Sequence, residues 1–185
     1  QSHPGAKVME LDLAAVDKKL SSDRKRLIID LTFLGSLVQR LPMIAADKKW
    51  CINTATDARM FYYNPEFIDS LSTGETEFML AHEALHCGLA HFARRENRVR
   101  WRWDIACDYA INPLLIDEGL KAPFGILYDK GFIGMTAEEI YPYLDKKMFD
   151  KPIDEHVYDS EEEEGDQGSG EGNMPSTGES SAADG

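Results

Sequence analysis

Two histidines four residues apart, His82 and His86, bracket a glutamate in the stretch FMLAHEALHCGLAHFARR (residues 78–95). On an α-helix, residues four apart lie on one face about a turn from each other, so both imidazoles can offer a nitrogen to one tetrahedral ion. Glu83 sits beside that face, where it can reach a water at the ion without binding the ion itself. The pattern predicts a Zn²⁺ centre with Glu83 as the general base of a metal-assisted hydrolysis.

Such a centre needs a third protein ligand, and three residues compete for the place. His91 lies five residues past His86 and nine past His82, about 140° and 180° round a continuing helix from the two. It could ligate only if the helix broke near Gly88 and turned back, so its expected place is the helix rim, behind the ligands or facing substrate. Asp108, in WDIACDYAIN, comes twenty-two residues after His86. That is enough chain for one helix to end, a loop to turn and a second helix to bring one face back. Asp108 is the expected third ligand, with His91 and Asp104 as alternatives. Asn112, one turn after Asp108, is placed to hydrogen-bond a ligand histidine and hold its tautomer. His91, Tyr109 and Tyr128 are candidates for stabilising an oxyanion. Cys87 and Cys107 adjoin the motifs but are expected as small buried residues rather than ligands.

The elements that must hold these residues can be read from periodicity and caps. Residues 8–20 and 23–41 read as two helices, the second with Leu27, Ile28, Leu31, Leu34, Leu37 and Val38 at helical spacing before Pro42. KKWCINTATDARMFYYN suggests two short strands about a Thr-Asp turn. The strand in RMFYY is placed either in the core or where an extended peptide could pair with it. NPEFIDSLS reads as a short helix. The segment from Thr73 onward is a strong helix that carries the two histidines, with acidic residues in its first turn and arginines towards its end. WRWDIACDYAINPLLIDEGL is another helix, interrupted or kinked at Pro113 and closed by Gly119. Residues 121–135 read as loop, and TAEEIYPYL as a last short helix capped by Thr136. Helices, a small strand pair and more helices make the class α+β.

The net charge of −13 is concentrated at one end. Residues 154–185 hold eleven acidic side chains and no Lys or Arg, and removing them leaves a charge of −2 on the rest. That Gly/Ser/Glu-rich stretch has too few apolar residues to offset its ordering entropy, so residues 151–185 are expected as a disordered acidic tail or linker after a domain at 1–150. Linkers of this kind often lead to another domain, so the chain is expected to be the front part of a longer one. The three cysteines, odd in number and outside any CxxC spacing, fit a reduced cytoplasmic setting. No apolar run approaches a membrane span.

Four stretches, FYYNPEF, HEALHCGLAHFARR, WDIACDYAIN and GMTAEEIYPYL, together resemble the bacterial and phage "putative metallopeptidase domain" family of the zincin superfamily, over residues 55–145. The resemblance implies a zincin-like fold, mainly helical with a small β-sheet beside the HExxH helix. It also implies zinc and hydrolysis of peptide bonds in a peptide or protein substrate. In such proteins the domain is commonly followed, after an acidic or low-complexity linker, by a von Willebrand factor A-like domain. An aspartate on a later helix is similar to the gluzincin plan, with Asp108 in place of the usual glutamate. Carried onto this chain, His82, His86 and Asp108 hold the ion and Glu83 is the base.

Two other readings draw on different residues. RRENRVRWRW interleaves five arginines with Trp101 and Trp103, a mixture that can grip single-stranded nucleic acid. The plainer expectation for this segment, 94–103, is a surface turn with its arginines paired and its indoles turned inward. The last reading is a non-catalytic interaction domain in which a metal is structural.

Overall fold

The computed structural model describes residues 11–144 and the backbone of 154–156. The first helix, α1 (Leu13–Asp30), is capped by Asp12, whose carboxylate accepts from the Ala15 amide at 3.1 Å. It buries Val16, Leu20, Asp23 and Leu27, a stripe that runs through the Ser21-Ser22 pair where two helices were expected to meet. The break comes instead at Leu31 (φ −135°, ψ 77°), and α2 (Thr32–Gln39) folds back against α1. Gly35 makes that return possible. A Cβ there would stand 2.3 Å from the Ile28 Cα, so the two helices meet backbone to backbone.

A strand not expected from the sequence, β1 (Met43–Ala45), follows, then β2 (Thr54–Thr56) and β3 (Phe61–Tyr63). The last two form the anticipated antiparallel pair, with Thr56 opposite Phe61. Asp57 shapes their turn: its carboxylate accepts from the Arg59 and Met60 amides at 2.9 and 2.8 Å and from the Tyr62 hydroxyl at 2.9 Å. β1 joins β3 in parallel. After the short α3 (Pro65–Ser70), capped by Asn64, come α4 (Thr73–Gly88), α5 (His91–Arg94) and α6 (Arg100–Asp117). A 3₁₀ turn (Lys130–Phe132), α7 (Ala137–Ile140) and a second 3₁₀ turn (Tyr141–Tyr143) lead to β4 (Asp154–His156).

β4 pairs in parallel with β2, so the sheet order is β1-β3-β2-β4 and the sheet reaches past residue 150. Both sides of β3 are therefore taken, and the FYY strand lies inside the sheet rather than at an edge open to a peptide. Residues 145–153 and 157–185, most of the expected tail, lie outside the described residues. The architecture is the expected α+β type, mainly helical, with the small sheet beside the HExxH helix. None of the described helices is long and apolar enough to cross a membrane.

Two cores flank α6. One gathers α1, α2, β3, α3 and α4 with Ile111 and Leu115 of α6. The other packs Trp103, Ile105, Ala106, Cys107 and Tyr109 against Leu127, Ala137, Ile140 and Leu144. α6 runs unbroken through Pro113 and closes in a Schellman motif, with Leu120 N donating to Leu115 O, Gly119 N to Ile116 O, and Gly119 at φ 87°.

Replacing Gly35 by Ala must push α1 and α2 apart and loosen Leu34 and Val38 beneath them. The expected cost is about 1–3 kcal/mol of stability, read as a lower urea midpoint with the slope unchanged.

Candidate metal centre

α4 starts from a capping box in which Glu75 N donates to Ser72 Oγ at 3.3 Å and Ser72 N to Glu75 Oε1 at 3.0 Å. From Thr76 to His86 every residue of the helix is buried, so α4 crosses the interior instead of lying on it. His82 and His86, both 0% exposed, bring their Nε2 atoms to 2.9 Å. Asp108, 1% exposed, arrives from α6 with its Oδ1 at 3.3 Å from His82 Nε2 and 3.0 Å from His86 Nε2. Three donors on a tetrahedral zinc at bond lengths of about 2.0–2.1 Å stand about 3.3 Å apart. The observed triangle is of that size, and two imidazole nitrogens with one carboxylate oxygen are a donor set that zinc accepts.

The outer nitrogen of His82 has a defined partner. Asn112 Nδ2 donates to the Leu127 carbonyl at 2.8 Å, which leaves its Oδ1 to accept from His82 Nδ1 at 2.8 Å. His82 therefore carries its proton on Nδ1 and directs the lone pair of Nε2 towards His86 and Asp108. His86 has a different neighbour: its Nδ1 faces His91 Nδ1 at 3.1 Å.

His91 reaches that position because α4 does not continue into the arginines, as the sequence reading had it. Helical structure stops at Gly88, Ala90 takes left-handed angles (φ 53°, ψ 36°), and α5 restarts at His91. The turn cancels the rotation that a continuing helix would impose. It is held by the Trp103 indole N–H, which donates to the His91 carbonyl at 2.8 Å. His91 thus lies behind His86, outside the triangle. Asp104, one turn before Asp108, pairs with Arg100 at 3.9 Å and is not among the converging donors.

Glu83 is 0% exposed, and one oxygen of its carboxylate accepts from the Thr54 hydroxyl of β2 at 2.7 Å. Sequence reasoning missed Thr54, since nothing marks a strand threonine as the partner of a residue twenty-nine positions later. It also missed Leu127, whose role is played by its backbone carbonyl. Cys87 is half-buried, with its Sγ 3.6 Å from Thr56 Oγ1. Cys107 is buried, as expected, but stands closer to the site than expected: His86, His91 and Cys107 form a second group of converging donor atoms. Tyr109 packs on Phe132 in the second core, with ring centroids 5.1 Å apart, and Tyr128 is 41% exposed.

The arginine-tryptophan segment is engaged with α7 and the turn after it. Arg94 donates to Glu138 through Nε at 2.7 Å and through a terminal nitrogen, and these hydrogen bonds hold the Glu138 carboxyl below its usual range. Arg98 lies 5.0 Å from the Trp103 ring centre and 5.8 Å from that of Tyr141. Arg102 stacks on Tyr141 at 4.3 Å and donates to its carbonyl at 2.9 Å. Trp103 is fully buried. These contacts match the plainer expectation in part: the arginines are engaged and Trp103 turns inward, but Trp101 is 39% exposed and residues 100–103 open α6 rather than form a turn.

A buried helix bearing HExxH, crossed by a second helix that supplies a carboxylate, is an arrangement of metal-dependent hydrolases. The chain belongs to the putative metallopeptidase domain family, whose profile matches residues 16–184. No curated protein and no solved structure gives a significant match. A domain of the metallopeptidase class uses a metal ion and acts on peptides or proteins.

Asn112→Ala removes the acceptor that sets the His82 tautomer. The expected result is metal affinity lower by about 10–100-fold, measured by competition with a chromogenic chelator.

Proposed function

We propose that this domain is a zinc-dependent peptidase in which His82, His86 and Asp108 hold Zn²⁺ and Glu83 is the general base. What supports the reading is the convergence of three buried donor atoms at 2.9–3.3 Å on the helix turn that carries Glu83. When bound there, zinc supplies Lewis acidity, lowering the pKa of a water towards about 7 and polarising a substrate carbonyl. The residues of the chain do the rest. Asn112 keeps the His82 lone pair aimed at the ion, and His91 can accept the outer proton of His86 in the same way. Thr54 orients the Glu83 carboxylate. Glu83 takes a proton from the attacking water and passes it to the leaving amine. The full burial of these side chains excludes bulk water, which strengthens every charge interaction among them.

The organisation read from composition and resemblance completes the proposal. The peptidase unit, expected from the sequence at residues 1–150, extends through the sheet strand Asp154–His156 as its last element. The acidic Gly/Ser/Glu-rich stretch beyond it links to a further domain of the von Willebrand factor A-like kind, in the cytoplasm.

A second reading, in which the ion is structural and the domain binds without cutting, draws on one observation. The three donors and Glu83 are all 0–1% exposed, as in closed structural sites.

Elemental analysis and cleavage of a peptide library together decide between the two. The expected outcome is one zinc per chain, lost in His82→Ala and Asp108→Ala and kept in Glu83→Gln. Cleavage by Glu83→Gln should be lower by about 10²–10⁴-fold. Zinc retained with equal behaviour of wild type and Glu83→Gln would favour the structural ion, and a metal-free wild type after zinc is added back would sink both.

A further inference from the structure

The imidazole of His86 has two edges, and each faces its own set of donors. On the Nε2 edge are His82 Nε2 at 2.9 Å and Asp108 Oδ1 at 3.0 Å. On the Nδ1 edge is His91 Nδ1 at 3.1 Å. His86, His91 and Cys107 each bring one donor atom within 4.8 Å of the other two. His91 is 3% exposed and Cys107 0%, and no disulfide engages the thiol. Cys107 and Asp108 are consecutive on α6, so one helix presents a soft sulfur to one set and a hard oxygen to the other.

We propose that His86, His91 and Cys107 form a second cation site, one that takes a thiophilic ion such as Cd²⁺ or Cu⁺. Two imidazoles and a thiolate are the ligands such ions select, whereas the nitrogen-oxygen triangle on the other edge suits harder ones. The outer hydrogen bond is also in place. With an ion on Nδ1, His86 carries its proton on Nε2, 3.0 Å from Asp108 Oδ1, a normal N–H···O distance. Asp108 then serves as the orienting carboxylate behind a ligand histidine. The neighbours of His86 thus exchange roles between the two states: His91 turns from orienting partner to ligand as Asp108 turns from ligand to orienting partner.

A neutral imidazole has one lone pair, so the two sites exclude one another. Filling the second site moves the lone pair of His86 from Nε2 to Nδ1 and withdraws it from the His82–Asp108 set. In that step the Cys107 thiol gives its proton to solvent and the ring proton of His86 moves from Nδ1 to Nε2; nothing is oxidised or reduced. A thiophilic ion would silence the first site without occupying it, whether or not the domain cuts peptides.

The test uses the full chain, freed of metal by a chelator and titrated with Cd²⁺ under reducing, oxygen-free conditions. The expected reading is an ultraviolet thiolate-to-Cd²⁺ charge-transfer band in wild type, in Asp108→Asn and in Cys87→Ser, and its loss in Cys107→Ser. Cd²⁺-loaded wild type should then fail to develop the visible bands of tetrahedral Co²⁺, which Cys107→Ser should show. Wild type that binds Cd²⁺ with no thiolate band overturns the proposal with no variant needed. So does a band that survives Cys107→Ser. Tetrahedral Co²⁺ bands in the Cd²⁺-loaded wild type would overturn the mutual exclusion.

Discussion

A helix buried on all sides can carry polar side chains only where each finds a partner, because a buried polar group left unmatched costs about 1–3 kcal/mol. α4 carries His82, Glu83 and His86 within five residues and exposes none of them. The surrounding structure is arranged to meet that demand. Thr54 comes from the sheet to Glu83, Asn112 from α6 to His82, and His91 from the turn after α4 to His86. Each partner arrives on a different element, so the packing of β2, α6 and α5 on α4 is fixed by polar contacts as well as by apolar area.

α6 carries the greatest share of this arrangement. Its Ile111 and Leu115 belong to the core under α1 and α4, and its Trp103 to Tyr109 stretch to the core under α7. Asp108 and Asn112 lie on the seam between the two, one helical turn apart, facing the histidines. Arg94 of α5 and Arg102 in the first turn of α6 help to hold it: Arg94 to Glu138 and Arg102 to Tyr141 fix the loop and helix that follow. That loop returns Leu127, whose carbonyl sets the Asn112 amide and through it the proton on His82. A backbone oxygen forty-five residues downstream of His82 thus decides which nitrogen of that ring carries a lone pair.

Much of this was legible in the sequence, because its signals are local. The 82/83/86 spacing, the Thr136 cap, the strand pair about Asp57 and the Asp108–Asn112 turn all depend on residues within a few positions of one another. What was not legible depends on distance or on a single torsion. β1 and β4 are three residues each and gain their identity from the strands they join. Thr54 matters through a contact made only in the folded chain. His91 does lie behind a ligand histidine, one of its expected places, but the turn that brings it there was not legible because it falls on Ala90, a residue type that gives no warning of positive φ. Gly88, two residues earlier, was the one trace of the break. Cys107 looked inert from its neighbours in sequence, and only the same turn brings a second imidazole beside it.

The depth of the triangle also bears on how fast an ion can come and go. With its three protein donors at 0–1% exposure, an ion held there can lose them only through a local opening of the packed helices. Exchange then follows the frequency of that opening rather than the strength of the competitor outside. Above a modest concentration, more chelator would strip the ion no faster, so the protein would hold it kinetically for longer than its equilibrium affinity alone implies.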